Sequence, residues 1–503
     1  MRIPALILIL SLCSAPVFCQ ESEMTVSYKA ETFGSLATGD NTPFWMLYHN
    51  WGVVPRNANN FYLRAAVFDE HKINKDWSYK LGLDVVGSTP HNFSTVWLQQ
   101  FYGELNWKSL RLNIGAKEDY ISPLDEHLSS GDMSMSNHAR PIPEVKISLS
   151  DYVLVPYTKG NMFFKGDFSI GRTMDGQWLE DTARPNNLKY ARDVLTHHKS
   201  VYFRFGDIEN RHRMQFTVAL KHFSQWGGKL YKYLIIDGTP QYVLIDQPQQ
   251  LKNFIRVIFA QQGIEGSSEA DTDNVAGSHS GNYYLQFDYK LNNNDRLGIY
   301  YQHFFEDGSS MNPRTFMDML LGIQYKTGKQ QLVSNVLFEY LYTRNQAGSV
   351  HFVTMDDEHA DLRKKETGND DYYNNTDYNQ GPSHYGRSMG TALLLSPEYN
   401  NDGSVNFRSS RIRAFHLGME GYFLPELQYR LLLTAGQSWG RYYVPFTKVK
   451  KGFASSLELL YTPAKIKDFE AKLAIGYDNG QFFGGDTFGG GITLSKRGII
   501  FSK

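Results

Sequence analysis

Cysteine is almost missing from this chain: of 503 residues only Cys13 and Cys19 carry a thiol, and both fall within the first twenty. Removal of a leader ending at Cys19 leaves no disulfide and no Cys-ligated metal, which excludes stapled scaffolds and zinc ribbons. A long apolar run is missing too. No later stretch supplies the roughly eighteen uncharged apolar residues that a spanning helix needs, and mean hydropathy is -0.43. Nor is there an excess of one charge, since Lys+Arg 51 faces Asp+Glu 52 for a net charge of -1. Nucleic acid is therefore not an expected partner, because neutralising its phosphates takes clustered Lys and Arg.

Motifs for covalent chemistry are equally scarce. The chain has no His-Glu-x-x-His helix and no Gly-x-Ser-x-Gly elbow, and Gly328-Lys329 lacks the residues that flank a phosphate loop. Gly277-Ser278-His279-Ser280-Gly281 places histidine where a nucleophile would stand. On a strand, His197 and His198 point to opposite faces and do not share an ion. The acidic runs Asp356-Asp357-Glu358 and Asp370-Asp371 read as solvated loop acids rather than calcium ligands. No catalytic residue, metal or cofactor is expected, and the chain is not read as an enzyme.

What is present begins with a targeting segment. Arg2 precedes an apolar run over residues 3–12, and Val17-Phe18-Cys19 offers a cut before Gln20. Residues 1–19 are thus expected to be a signal peptide cleaved on export. Pro16-Val17-Phe18 is a poor context for lipid attachment at Cys19. Beyond the leader, 32 Phe and 32 Tyr supply enough surface for burial to exclude a disordered chain.

Short segments that alternate apolar and polar dominate the rest. Val201, Phe203 and Phe205 interleave with Tyr202 and Arg204, and Leu473, Ile475 and Tyr477 with Lys472, Ala474 and Gly476. Such alternation marks strands with one greasy and one polar face. Eighteen strands are expected, beginning near residues 24, 61, 77, 97, 110, 144, 163, 200, 214, 283, 296, 316, 332, 411, 427, 453, 469 and 487. Tight links such as 108–109 and 292–294 alternate with long ones such as 37–60, 118–143, 173–199, 225–281, 345–410 and 436–452. An up-and-down outer-membrane barrel segregates its turns this way, with short periplasmic turns and long outer loops. The expected fold is therefore all-β: residues 20–503 form an 18-stranded antiparallel transmembrane β-barrel with long extracellular loops, its greasy face against outer-membrane lipid.

Trp77, Trp97 and Trp107 at strand ends suit the headgroup boundary. Thr487-Phe488-Gly489-Gly490-Gly491-Ile492-Thr493-Leu494 resembles a terminal pattern read by the barrel-insertion machinery, which makes that machinery an expected partner. Pro248 followed by Leu251, Phe254, Ile255, Ile258 and Phe259 predicts a helix. It is expected to fold over or into the barrel mouth, so that short helices in the loops occlude the lumen; a surface helix is the alternative.

The long links are rich in rings that suit sugar faces, including Trp45, Trp51, Trp178, Trp226, Trp439, Tyr372, Tyr373, Tyr378, Tyr385, Tyr442 and Tyr443, with amides and Arg to bond hydroxyls. Three pieces then carry a resemblance: His222-Phe223-Ser224-Gln225-Trp226-Gly227-Gly228, Ala139-Arg140-Pro141-Ile142-Pro143-Glu144-Val145 and His198-Lys199-Ser200-Val201-Tyr202-Phe203-Arg204-Phe205-Gly206. With Asp371-Tyr372-Tyr373-Asn374-Asn375 and Gly386-Arg387-Ser388-Met389-Gly390-Thr391, they resemble the capsule-assembly Wzi family, in particular its Bacteroidetes branch. Pro382-Ser383-His384 departs from it, standing where a Trp-containing stretch is expected.

The resemblance implies an 18-stranded barrel with an obstructed lumen, acting as a lectin-like protein that binds capsular polysaccharide or exopolysaccharide and helps its assembly or attachment at the cell surface. Gln225, Trp226, Tyr385, Arg387 and Trp439 are the expected carbohydrate contacts. A long polymer would gain avidity by touching several barrels. A porin-like diffusion channel and a barrel hydrolase are the alternatives.

Overall fold

Side chains on a strand alternate between two faces, so each segment with period two can present apolar groups one way and polar groups the other. A computed structural model, which describes residues 23–89, 94–268, 271–272, 275–306, 310–311, 318–346 and 370–503, shows where those faces go. The first nine wall strands are β1 (Glu23–Ala37), β2 (Asn60–Lys72), β3 (Trp77–Ser88), β4 (Val96–Trp107), β5 (Leu110–Ala116), β6 (Glu144–Leu149), β7 (Met162–Arg172), β8 (Leu195–Phe205) and β9 (Met214–Trp226). The other nine are β10 (Ser278–Lys290), β11 (Arg296–Phe305), β12 (Met319–Lys326), β13 (Asn335–Tyr342), β14 (Ile412–Leu424), β15 (Leu427–Gly440), β16 (Pro445–Tyr461), β17 (Phe469–Asn479) and β18 (Thr487–Ser502).

Each strand pairs antiparallel with its sequence neighbours, and β1 bonds both β2 and β18, so the sheet closes into an 18-strand barrel. A two-residue strand, Val153–Leu154, adds to β7. The expected strand number and closure are borne out. Tight turns at 73–76, 108–109, 291–295 and 425–426 share one end with the start of β1 and the end of β18, where the Met24 N–H donates to the Lys503 carbonyl at 2.9 Å. The long links gather at the other end.

One expected long link is a hairpin instead. Residues 436–452 belong mostly to β15 and β16, joined by the four residues 441–444. Lys450 and Lys451 pair there with Ser438 and Gln437, and the register slips between Ser438 and Gly440 before the turn.

The outward face is apolar and exposed, as at Leu63, Ile114, Val145, Leu220, Leu285 and Ile475, while Arg64, Tyr202, Tyr284 and Tyr300 point inward and are buried. Trp77 and Trp107 lie outward at the tight-turn end, stacked at 6.0 Å. Trp97 is different: it is 6% exposed and faces the lumen, its Nε1 donating to Gln99 Oε1 at 2.9 Å. A bulge explains the correction. The β3–β4 register slips between Asp84 and Val85, leaving Gln99 unpaired and reversing the parity of every β4 residue before it.

The lumen is filled by three links. Residues 38–59 carry helix α1 (Phe44–Leu47), whose Phe44 N–H donates to Asp478 Oδ2 at 2.6 Å and whose Trp45 Nε1 donates to Thr434 at 2.9 Å. Residues 117–143 are fastened by Glu339, which accepts from Ser129 Oγ at 2.6 Å and the Ser130 N–H at 2.7 Å, and by a buried ion pair between Asp132 and Lys221. Described residues of the link 370–411 add Tyr372, Tyr373, Leu394 and Phe407, all buried in the same apolar cluster as Phe44 and Trp45. Several of the rings that the sequence places in the long links, Trp45, Tyr372 and Tyr373 among them, therefore form the core of the plug.

The helix near Pro248 exists, spanning Leu251–Ile258, but it does not enter the mouth. It lies on the outer side of the wall, stacking Phe254 on Trp226 and meeting Phe168 and His197. Its apolar stripe is too narrow to fill a lumen, and the space is already taken by α1 and irregular chain.

Candidate functional site

Above the plug, two long links build a cap. The link from β7 to β8 carries helix α2 (Gly176–Ala183) and the short strand Tyr190–Arg192; the link from β9 to β10 carries a hairpin of Lys229–Ile236 and Thr239–Asp246. Together they form a three-stranded sheet. The hairpin turns on Asp237-Gly238, both with positive φ, which suits the twist of a two-residue loop. This Asp-Gly pair, flanked by Ile235-Ile236 and a run through Ile245, is the sequence signal that was missed inside the long link.

The sheet lines up tyrosines. Tyr190 and Tyr231 stack at 4.8 Å with planes 6° apart; Tyr242 meets Tyr190 at 6.0 Å and Tyr233 at 5.2 Å. Tyr242 donates its hydroxyl to the Leu188 carbonyl at 3.0 Å, and the Arg184 guanidinium lies 5.6 Å from its ring centre. Trp178, Leu179 and Val405 are buried beneath, forming a second apolar cluster against which Tyr231, Tyr242 and Tyr385 pack. Arg184 is exposed, so the ladder is bordered by a cation that water reaches.

Of the predicted contacts, Tyr385 and Arg387 flank a tight turn at Gly386, where a Cβ would meet the Trp178 ring at 2.3 Å. Tyr385 donates to the Met174 carbonyl at 3.0 Å and lies 4.9 Å from the Arg140 guanidinium; burial raises its pKa, opposed by Arg140. Next to it His384 is held neutral, its pKa lowered to about 3 by burial, with Nε2 accepting from the Met174 N–H and Nδ1 donating to the Arg140 carbonyl. Asp175 accepts the Tyr385 N–H at 3.1 Å, yet burial pushes its carboxyl up to about 6.

Arg387 is buried and bidentate to Glu398 at 2.8 and 3.0 Å, with Nη1 donating to the Val54 carbonyl. It clasps two links of the plug. Gln225 points inward at the end of β9, its side-chain oxygen and nitrogen both without a hydrogen-bond partner among the described residues. Trp226 points outward beneath the 251–258 helix, and Trp439 lies near the Arg344 guanidinium at 4.5 Å on the rim of β15. Each of these three thus packs with a different set of neighbours. The paired histidines separate as expected: His198 turns inward to Asp167 at 2.6 Å, and His197 turns outward. Asp356-Asp357-Glu358 lies outside the described residues.

A cavity between plug and wall is lined by Trp51, Tyr120, Arg140, Lys146, His198 and Phe223, with about 60 Å³ open to the centres of water-sized spheres. That holds roughly four waters. A sugar ring does not fit in that cavity.

No family model matches the chain, and no curated relative matches it. Among solved structures, the chain is similar to Wzi of Escherichia coli, described as an outer membrane protein involved in group 1 capsule assembly and as a carbohydrate binding beta-barrel. The likeness has a TM-score of 0.55 at 13% identity and covers 93% of this chain and 83% of that one. Pseudomonas aeruginosa OprD (TM-score 0.46, 8% identity, 97% and 98% covered) and Acinetobacter baumannii OccAB1 (0.47, 10%, 98% and 100%) also align. The likeness to Wzi is one of fold: an outer-membrane barrel.

Proposed function

We propose that this chain is a Wzi-type outer-membrane protein, exported with cleavage of residues 1–19, that holds capsular polysaccharide or exopolysaccharide on its extracellular cap. The observation that carries this reading is the cluster of Tyr190, Tyr231, Tyr242 and Tyr233, in which Tyr231 stacks on the buried Tyr190 and Tyr242 meets it edge-on, above a filled lumen. Flat rings offer apolar area to sugar faces, and Arg184, Arg140 and nearby amides bond hydroxyls. Tyr385 is the predicted contact best placed to extend the ladder. Arg387 acts by holding its turn, and Gln225, Trp226 and Trp439 bear on the rim. No covalent step is involved. Thr487-Phe488 through Leu494 opens β18 at the cap end, and the insertion machinery is the partner proposed for that strand.

A diffusion channel is the weaker reading, because Asp132, Glu339 and Asp478 fasten the plug to the wall through buried polar bonds. A glycan array on the refolded protein tests the proposal, with planar-bilayer conductance alongside. Binding of repeating glycans, reduced in Tyr242→Ala and Tyr385→Ala without loss of the folded barrel, is expected. Steady open-pore current with no glycan retained would sink it.

A further inference from the structure

On strands β7 to β10 the outward face changes character near the cap. Along β9, Met214, Phe216 and Leu220 point outward and are exposed, whereas His222, Ser224 and Trp226 point outward and are buried. A tilted strand takes about 9–11 residues to cross hydrocarbon, so a count from Met214 ends near residues 222–224. The polar pair falls inside the last part of that crossing. Its register neighbours are polar as well, with His197 of β8 on one side of Ser224 and His279 of β10 on the other. Imidazoles facing acyl chains are expensive to maintain.

The helix Leu251–Ile258, α3, covers this seam. Its underside is sealed by the buried Val257, by Phe254 stacked on Trp226 at 5.4 Å, and by Lys199, whose ammonium donates to the Ile258 carbonyl. His222 and His279 stack at 5.1 Å beneath the cover. On the far side, Leu251, Ile255 and Phe259 are 72%, 46% and 69% exposed, spaced by four so that they form one line along the helix.

We propose that α3 is an interfacial helix whose line of Leu251, Ile255 and Phe259 dips into the outer leaflet, with membrane lipid as the occupant of that face. Continuity with the exposed wall residues below, Phe168, Val201 and Leu220, argues for lipid. So does Lys252, exposed beside the line, where a long cationic side chain reaches anionic headgroups while its stem stays in the apolar layer. The helix thereby supplies the apolar surface that the wall lacks where it turns polar. This inference rests on the outer-membrane placement of the barrel and not on glycan binding.

The test uses the full chain with Cys13 and Cys19 replaced by serine, refolded into phosphatidylcholine vesicles with or without a nitroxide near the top of the acyl chain. An environment-sensitive dye is attached in turn to I255C, L251C, V145C on the wall, and I235C at the hairpin tip. Dyes at residues 255 and 251 are expected to lose fluorescence to nitroxide lipid as the dye at 145 does, while the dye at 235 responds only to aqueous iodide. If 255 and 251 behave like 235, the inference is overturned. Disulfide-linked dimers through residue 255 overturn it in favour of a second copy. Failure at residue 145 itself would instead bring down the membrane placement.

Discussion

The plug inside the barrel and the cap above it are both made of long links, yet different physics fastens them. Plug and wall meet through buried charge: Asp132 of the plug to Lys221, Asn282 and Gln302, and Glu339 of the wall to Ser129 and Ser130. The cap is packed by rings, with Tyr190 on Tyr231 and Tyr385 beside Trp178, its hairpin has a single ion pair among the described residues, Lys232 to Asp377 at 2.7 Å, and its edges are open to water. A buried carboxylate tolerates no change of partner without a large cost. A half-exposed ring can exchange water for another flat apolar face. The difference assigns permanence to the first region and exchange to the second.

The comparison breaks most easily at the plug. Lys221→Met leaves Asp132 charged and without its cation, and the barrel is expected to lose about 3–5 kcal/mol, read as a lowered denaturant midpoint in detergent. The double variant Asp132→Asn with Lys221→Met should recover most of it. An unchanged midpoint in the single variant would show that the plug is not fastened there.

Acidity sharpens the contrast from the cap side. The Asp175 carboxyl is raised to about 6 by burial, so the folded cap binds its proton more readily than the unfolded chain does, whose Asp titrates near 3.9. The stabilisation is complete below about pH 4 and lost as pH rises through about 6, a change of about 3 kcal/mol. Amide protection over residues 174–192, corrected for intrinsic exchange, should fall across that window in the wild type and stay level in Asp175→Asn. Flat protection in the wild type would contradict the burial argument.

A smaller effect is expected at the end of the ladder. Tyr233→Ala removes the ring that meets Tyr242 at a tilt and should weaken glycan binding roughly fivefold, in line with about 1 kcal/mol per aromatic pair, with the denaturant midpoint unmoved. Smallest of all is Lys80→Ala. Its partner Glu70 is 3.0 Å away but both side chains are exposed, so neither binding nor midpoint should move.

Much of the wall was legible because a strand's parity is local information. The greasy and polar faces of Val201 to Phe205 came out as alternation predicts, and the tight turns marked the end at which the termini meet. Trp97 was misplaced for a reason that parity cannot carry: one unpaired residue, Gln99, reverses every side chain beyond it. The 251–258 helix was legible as a helix, but its position depends on polar residues of three separate strands. In the cap, Tyr385 was singled out while Tyr231, Tyr233 and Tyr242 were overlooked, although Asp237-Gly238 announces the hairpin that aligns them. Arg387 looked like a free hydrogen-bond donor because its partner Glu398 lies across a turn that spacing alone does not reveal.

The seam between β1 and β18 joins the first and last wall strands. Residues 25–37 pair with residues 489–502, so the ring is completed by the two most distant parts of the chain. Without that pairing, both margins would offer unpaired backbone groups to any passing strand. The links that fill the lumen come from between these margins and are fastened to strands on several sides.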